Sequence, residues 1–334
     1  MKRTRLYNII LALLIPVSSV AQWEEMGEFS EGFAYVMDDN EKYGFIDMAG
    51  RLVIPCEWSS ANSFSEGLAA VPDEHEIYGF IDKSGKTVIP FVWKKAFSMS
   101  EGLARVQNED DEWGYIDKTG KVVIPFTWKN ASSFSEGLAS VQDDRDKWGF
   151  IDKTGKVVIP YNWNFPWDFH EGLAAVQDDR DKWGFIDKTG KVVIPCEWDW
   201  ASFFSEGLGA VQNDCDEWGY IDKTGKVVLP FEWKCAMGFT EGLAAVQDFN
   251  GKWGYIDKTG KTVVACRWNY ANAFHEGLAA VKDDKGRWGF IDKTGKVAIP
   301  CDWKFAFSFS EGYASVEDEN GQCWHIDKNG NIIK

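Results

Sequence analysis

The chain has 334 residues and a formal net charge of −16 at pH 7, with 52 acidic and 36 basic residues. This balance excludes binding to nucleic acid or anionic lipid through a basic surface, because affinity for phosphates requires clustered Lys and Arg. The charge favours solubility and does not define a fold.

The first segment, residues 1–21, has the pattern of a secretory signal peptide. Three basic residues precede a short apolar run at 6–17, and Ser19-Val20-Ala21 offers the small residues of a cleavage site. The apolar run is too short for a convincing membrane span, although a retained N-terminal anchor is the alternative. We predict export to the periplasm or extracellular space. The mature chain, without those three positive charges, has a net charge of −19 and no membrane span.

The rest of the chain, residues 22–334, is one domain of nine tandem units of about 35 residues. A Glu-Gly pair recurs at this spacing from Glu31 to Glu311, and an aromatic-Gly pair and an Ile-Asp pair keep the same step. A fixed period of this size is the mark of a repeat architecture.

Three short strands are predicted within each unit, as in the unit that follows Glu136. Strand 138–141 leads into a polar loop, strand 148–151 follows, and strand 156–159 ends at Pro160, which lacks the N–H needed to continue a ladder. The turn Asp152-Lys153-Thr154-Gly155 joins the last two strands, because Asp accepts backbone N–H bonds and Gly tolerates positive φ. Each unit is therefore predicted to be an antiparallel β-meander.

The strands carry apolar or small residues on both faces, which predicts sheets covered on both sides by neighbouring units. Small residues such as Gly149 are expected to leave room for indole rings of the adjacent unit. After the third strand, the spacing Trp128-Ala131-Phe134 suggests one tight helical turn.

These motifs together resemble the bacterial WG-repeat family across almost all of residues 22–334. The shared pattern is aromatic-Gly-[FY]-Ile-Asp-x-x-Gly, preceded by Phe-[ST]-Glu-Gly-[LF]-Ala. Departures are local: Tyr43 and Tyr78 replace Trp, Ala265 replaces Pro, and His325 stands where Gly should follow Trp324. The resemblance implies an exported β-repeat array that binds a ligand, with no catalytic residues to carry over.

The predicted fold class is all-β, with the nine meanders in an open solenoid-like stack. Propellers typically have four to eight blades of four strands, whereas this chain has nine units of about three. Trp23 is interpreted as the start of a unit, which leaves no strand for closure. The alternative is a closed, β-propeller-like array.

The recurring acids are predicted to be turn residues, because nine equivalent positions suit turn chemistry better than catalysis. No catalytic Ser–His or Cys–His pattern and no zinc-ligand spacing is present, so we expect no enzymatic activity, no cofactor and no metal. A carbohydrate-active hydrolase with its site in one or two units is the alternative. Calcium binding by the acidic loops, a Cys266–Cys301 disulfide and the oligomeric state stay open.

One column of the repeat changes character along the chain, namely the second residue after the recurring Trp. It is polar in Ser60, Lys95 and Asn130, and mostly aromatic afterwards. Aromatic side chains bind sugars or peptide groups by stacking, although core aromatics look alike in sequence. We therefore predict an exported, non-catalytic binding scaffold that recognises a protein or cell-surface glycan. Its ligand-binding residues are Phe165, Trp200, Tyr270 and Phe305.

Overall fold

A computed structural model describes residues 23–333 of the chain, and the predicted signal peptide lies outside these residues. Residues 23–333 form nine antiparallel sheets and contain no helix. Accordingly, this part of the chain offers no helical segment suited to crossing a membrane. Seven sheets have four strands, and the second and ninth have three.

The strands follow the chain sheet by sheet. The first three sheets contain β1 (Glu25–Met26), β2 (Phe33–Met37), β3 (Tyr43–Asp47), β4 (Leu52–Trp58), β5 (Leu68–Pro72), β6 (Tyr78–Asp82), β7 (Thr87–Trp93), β8 (Lys95–Ala96), β9 (Leu103–Gln107), β10 (Trp113–Asp117) and β11 (Val122–Trp128). The next three contain β12 (Asn130–Ala131), β13 (Leu138–Gln142), β14 (Trp148–Asp152), β15 (Val157–Trp163), β16 (Phe165–Pro166), β17 (Leu173–Gln177), β18 (Trp183–Asp187), β19 (Val192–Trp198), β20 (Trp200–Ser205), β21 (Leu208–Gln212), β22 (Trp218–Asp222) and β23 (Val227–Trp233). The last three contain β24 (Cys235–Ala236), β25 (Leu243–Gln247), β26 (Trp253–Asp257), β27 (Thr262–Trp268), β28 (Tyr270–Ala271), β29 (Leu278–Lys282), β30 (Trp288–Asp292), β31 (Val297–Trp303), β32 (Phe305–Ala306), β33 (Tyr313–Glu317) and β34 (Cys323–Asp327).

The predicted meander is confirmed and its turns have the expected chemistry, but the third strand does not end at Pro160, because β15 continues to Trp163. In the hairpin between β14 and β15, Oδ1 of Asp152 accepts hydrogen bonds from the N–H groups of Thr154 at 2.9 Å and Lys156 at 3.2 Å, while Gly155 takes a φ of 83°. Asp143 makes the same pair of bonds in the loop between β13 and β14. Both recurring acids of the hairpins are thus turn residues.

Neighbouring sheets bury each other's faces, as predicted. One apolar cluster combines Trp113 and Tyr115 of one sheet with Phe134 and Val141 of the next, all buried. Removing this much apolar surface from water is the main favourable term that holds the sheets together.

The Gly after each aromatic residue serves its own sheet, so the prediction that it accommodates a neighbouring indole is wrong. A Cβ on Gly149 would lie 2.5 Å from the carbonyl oxygen of Ile159, on the adjacent strand β15. The close approach coincides with a register shift between β14 and β15, which brings backbone against backbone.

The predicted helical turn is also wrong. Ala131 lies in the two-residue strand β12 and pairs with Val141. Ala131 and Phe134 are both buried, so their spacing reflects burial of an extended segment rather than a helical period.

The nine sheets close into a ring, a nine-bladed β-propeller, so the predicted open stack is wrong and the closed alternative is correct. Trp23 forms an antiparallel bridge with Cys323 and accepts a hydrogen bond from its N–H at 3.2 Å. Trp288 pairs with Trp303 in the equivalent way. Trp23 therefore completes the last sheet with a residue from the first end of the chain, and it precedes Trp58 by one full period.

The last unit keeps the register of the others, which corrects the sequence alignment there. Cys323 pairs with Glu317 and His325 pairs with Ser315, so Cys323 occupies the aromatic position, Trp324 the Gly position and His325 the Phe position.

The Glu-Gly turns form a second continuous connection around the ring. All nine Glu residues adopt a positive φ between 52° and 55°, a left-handed conformation that costs roughly 1–2 kcal/mol in a residue with a Cβ. Each carboxylate binds the Gly N–H of the next unit, as Glu171 does with Gly207 at 3.0 Å. Burial alone would raise the pKa of Glu171, but Lys223 and the Gly207 N–H outweigh it and lower the pKa.

All seven cysteines lie within residues 23–333 and are unpaired, including Cys266 and Cys301. The position that holds either Cys or Phe packs under the recurring Trp of the unit before, as Phe231 does against Trp198 at 5.6 Å between ring centroids. Burial raises the pKa of the Cys196 thiol to about 11, so this thiol behaves as an apolar side chain at neutral pH.

Candidate functional site

The four predicted ligand-binding residues lie at one end of their sheets. Phe165 begins β16 and pairs with Gln177, the last residue of β17, beside the loop that starts at Asp178. The Glu-Gly turn is at the other end of the same strand, next to Leu173. We call the end with the acidic loops the cleft face of the ring and the other end the turn face.

All four side chains are partly exposed. Phe165 and Trp200 keep 42% of their surface accessible, Tyr270 39% and Phe305 40%. The rest of each ring packs against the sheet, which fixes its position. The alternative that this column belongs wholly to the core is therefore excluded for these four residues.

The structure brings the four residues together in two pairs, each around a buried Trp. Phe165 and Trp200 flank Trp183, with ring centroids 6.0 Å and 5.4 Å from it. We call this group the first cleft.

Tyr270 and Phe305 flank Trp288 in the same manner, and both centroid distances are 5.6 Å. This group is the second cleft. Cys235 stands at the column position between the two clefts, so the aromatic stripe is interrupted there.

The second cleft opens into a cavity of about 650 Å³, which is within the size range of small-molecule sites. Lys282 lies over the floor, with its Nζ 5.9 Å from the centroid of Trp288. The lining residues are Asn269, Tyr270, Asn272, Lys282, Asp284, Lys285, Gly286, Trp288 and Phe305. Ring faces and hydrogen-bonding groups thus point into one concave space.

A charged network forms the edge of the second cleft. The ammonium of Lys252 donates to Oδ1 of Asn269 at 2.7 Å and to Oδ1 of Asp284 at 2.5 Å. The amide of Asn269 donates in turn to the carbonyl of Asp283 at 2.9 Å. These bonds hold the loop of one unit against the preceding unit, so the edge of the cleft is rigid.

The equivalent groove in the early units has different chemistry. A cavity of about 540 Å³ lies between Tyr78 and Lys95, where Lys95 occupies the column position. His75, Glu76, Lys94 and Glu109 are among its other lining residues. Grooves of this kind therefore belong to the repeat itself, and the column residue determines whether a groove is aromatic or charged.

The acids near the second cleft are already bonded within the protein. Oδ1 of Asp283 accepts the N–H groups of Lys285 and Arg287, both at 2.9 Å, and Asp284 pairs with Lys252. Across residues 23–333, no three His, Cys, Asp or Glu side chains are grouped so that they could hold a metal ion. His170 and His275 precede the Glu-Gly turns on the turn face, away from the clefts.

Sequence reasoning missed the floors and the polar edges of the clefts. Trp183 and Trp288 belong to strands that the sequence predicted to be covered on both faces. They are buried, yet each lies between two exposed rings. Asn164 and Asn269 carried a usable signal, because among the nine units only these two have Asn directly after the recurring Trp.

A family model described as "WG containing repeat" matches the chain eight times. The matches cover residues 43–71, 78–110, 113–147, 148–182, 183–214, 218–253, 253–286 and 288–322. No curated protein matches the chain.

Two solved structures have similar coordinates at 10% sequence identity. The computationally designed Ika8 protein has a TM-score of 0.49, with 79% of this chain and 95% of that chain covered. BamB from Moraxella catarrhalis has a TM-score of 0.44, with 79% and 94% covered.

Proposed function

The chain belongs to the WG containing repeat family, and from that premise we propose that it is an exported, non-catalytic scaffold that binds a glycan through the clefts of its cleft face. One observation carries the proposal: Tyr270 and Phe305 keep exposed ring surface on either side of Trp288, around a cavity edged by amide, ammonium and carboxylate groups.

A sugar ring suits this combination of groups. Pyranoses have apolar C–H faces that stack on aromatic rings and a rim of hydroxyls that hydrogen-bond to polar side chains. Protein–protein interfaces usually have a continuous apolar core. Here Lys234 and Cys235 separate the two aromatic groups in sequence. The glycan is therefore favoured over the protein as ligand.

The proposal of a scaffold without catalysis is supported by the state of the local acids. Glycoside hydrolysis needs two carboxylates free to act on one bond, whereas Asp283 accepts two backbone N–H groups and Asp284 pairs with Lys252. The pattern of residues 1–21 supports the export part of the proposal.

The experiment is calorimetric titration of the mature chain with three soluble tetrasaccharides: cellotetraose, chitotetraose and maltotetraose. They differ in linkage and in the N-acetyl group, so they sample flat and curved sugar chains. The double variant Tyr270→Ala/Phe305→Ala removes the cleft, and Lys95→Ala/Asn130→Ala is the matched control at the same column position.

We expect at least one tetrasaccharide to bind the wild type and the control, and the variant to lose the binding that the second cleft contributes. Absence of binding for all three sugars, together with capture of a protein from envelope extract that depends on the same rings, would show a protein ligand instead. Release of reducing ends from a bound sugar would establish the hydrolase alternative.

A further inference from the structure

The two clefts are copies of one site at a separation of 105 residues, three units of the nine. Tyr270, Trp288 and Phe305 follow the three rings of the first cleft at this distance. Each of the three positions therefore holds an aromatic residue in both clefts. The middle position is Trp in both, and the other two differ only in which aromatic residue is present.

The polar edge of the cleft is duplicated as well. In the first cleft, Lys147 donates to Oδ1 of Asn164 at 2.6 Å and also pairs with Asp179. The amide of Asn164 donates to the carbonyl of Asp178 at 2.9 Å. These four residues are the counterparts, 105 residues earlier, of the Lys, Asn and two Asp residues that edge the second cleft.

General repetition does not explain this match. The position after the recurring Trp is Lys in Lys94, Lys129, Lys234 and Lys304. In two of these cases the Lys binds its own neighbouring loop, as Lys129 does with Asp146 at 2.8 Å. Trp183 and Trp288 are the two floor residues that have an aromatic column residue on both sides. Their units are also the two with Asn directly after the recurring Trp. The flanking aromatic residues and the Asn are two independent features, and both occur in each of two units that are 105 residues apart.

We propose that the ring is bivalent: both clefts bind the same class of sugar residue, so that a single polysaccharide chain or two neighbouring chains engage one ring at two points a third of its circumference apart. This inference rests on the proposed function. Two linked contacts raise the apparent affinity for a polymer by 10²–10⁴ over a single contact when the polymer can span them.

The two clefts differ in their aromatic lining, which predicts unequal affinities. Trp167 stacks on Trp183 at 6.3 Å in the first cleft, whereas its counterpart in the second cleft is Asn272. The extra indole supplies another stacking surface in the first cleft, which therefore has one more aromatic ring than the second.

The test uses whichever of cellotetraose, chitotetraose or maltotetraose binds the wild type, together with the insoluble polysaccharide of the same linkage. Trp200→Ala removes a ring of the first cleft and Phe305→Ala a ring of the second, and Asn130→Ala is the control. Calorimetry gives the number of tetrasaccharide sites, and sedimentation with the polysaccharide gives the apparent affinity.

We expect two tetrasaccharide sites per wild-type chain and one in each single variant. Affinity for the polysaccharide should fall by at least tenfold in either single variant and not in the control. A wild-type stoichiometry of one, with only Phe305→Ala affecting it, would overturn bivalency and leave the proposed function intact. Binding of no sugar at all would refute both.

Discussion

The carboxylate of Glu311 accepts hydrogen bonds from the backbone N–H groups of Glu31 and Gly32, both at 2.8 Å, across 280 residues of sequence. Glu311 thereby binds the first unit as each earlier Glu binds its successor. The hydroxyl of Ser310 adds a bond to the carbonyl of Phe29 at 2.9 Å. The Glu-to-Gly hydrogen bond at this seam is the same bond that joins the units at the other eight junctions.

One contact is missing at the seam, and restoring it should stabilise the ring. Lys83 binds the carboxylate of Glu31 at 3.2 Å, and the same position in the first unit is Met48, so among the described residues Glu311 has no Lys partner. Met48→Lys should supply it and stabilise the fold by about 0.2–1 kcal/mol, as exposed ion pairs do. Thermal unfolding at low and high salt measures the gain. A gain that persists in 1 M salt would contradict an ionic origin.

Trp23 should contribute as much to the stability of the fold as a recurring Trp in the middle of the chain. It is buried and closes the last sheet against Cys323, so Trp23→Ala should cost about 3–5 kcal/mol. Trp268→Ala, in the middle of the chain and equally buried, is the matched variant. Urea unfolding of both compares the losses. A loss for Trp23→Ala close to zero would indicate an open array with a dispensable end.

The Gly of the repeat should tolerate no Cβ. At Gly184 a Cβ would lie 2.6 Å from the carbonyl oxygen of Ile194 and 2.7 Å from the N of Cys196, and backbone cannot move aside cheaply. Gly184→Ala should destabilise by at least about 1–3 kcal/mol. At Gly238 the nearest atom to a Cβ is 3.6 Å away, so Gly238→Ala should be neutral or stabilise by about 0.4–1 kcal/mol. Equal melting temperatures for the two variants would refute the argument.

His325 should make the seam sensitive to acid. Its buried imidazole donates from Nε2 to the carbonyl of Gly27 at 3.1 Å, and burial lowers its pKa from 6.5 to about 4, although the Gly27 bond opposes this shift. The unfolded chain therefore binds the proton more readily than the folded chain. The stability contributed by the neutral ring is complete above pH 6.5 and is lost as the pH falls towards 4, by up to about 3 kcal/mol.

The control for this titration is His325→Tyr. Tyr255 occupies the equivalent position in another unit, and its hydroxyl donates to the carbonyl of Asn272 at 2.7 Å, so a neutral donor fits there. Urea unfolding between pH 7 and 4 should show a smaller loss for the variant than for the wild type. Identical pH profiles would assign the acid sensitivity to other groups.

The exposed rings should contribute to binding and little to folding. Trp200→Ala combined with Tyr270→Ala removes one ring from each cleft. Stacking contacts are worth about 0.5–1.5 kcal/mol each beyond area burial, so affinity for the bound glycan should fall roughly tenfold or more. Calorimetry measures this loss, and circular dichroism checks the fold. An unfolded variant would mean that the rings are structural, and a folded variant with full affinity would exclude them from the site.

Most of the fold was predictable because the repeat imposes local chemistry nine times. Turn acids such as Asp152 and the strands that follow them are determined by nearby residues. Closure was given only as the alternative to an open stack, since it depends on the sum of the angles between successive sheets, which no single residue determines. Its signal was nonetheless present, because Trp23 stands one period before Trp58 and so belongs to the end of a unit.

The candidate site was predictable only in part. The switch from Asn130 to Phe165 identified the column, since repeat packing alone does not require it. Which ring faces which could not be deduced, because Trp183 reaches the first cleft through packing between units. The Asn at positions 164 and 269 could be recognised in the sequence. Its hydrogen-bond partners could not, because they come from loops of two different units.

Ring closure also constrains how such a chain can evolve. Two adjacent units contain an identical 19-residue stretch, at 142–160 and 177–195, as expected of gene duplication. An open array absorbs an added copy at its end, where only one new junction forms. In a closed ring, a tenth copy would reset the angle at every junction at once, so unit number is inherited as a fixed property of the whole molecule.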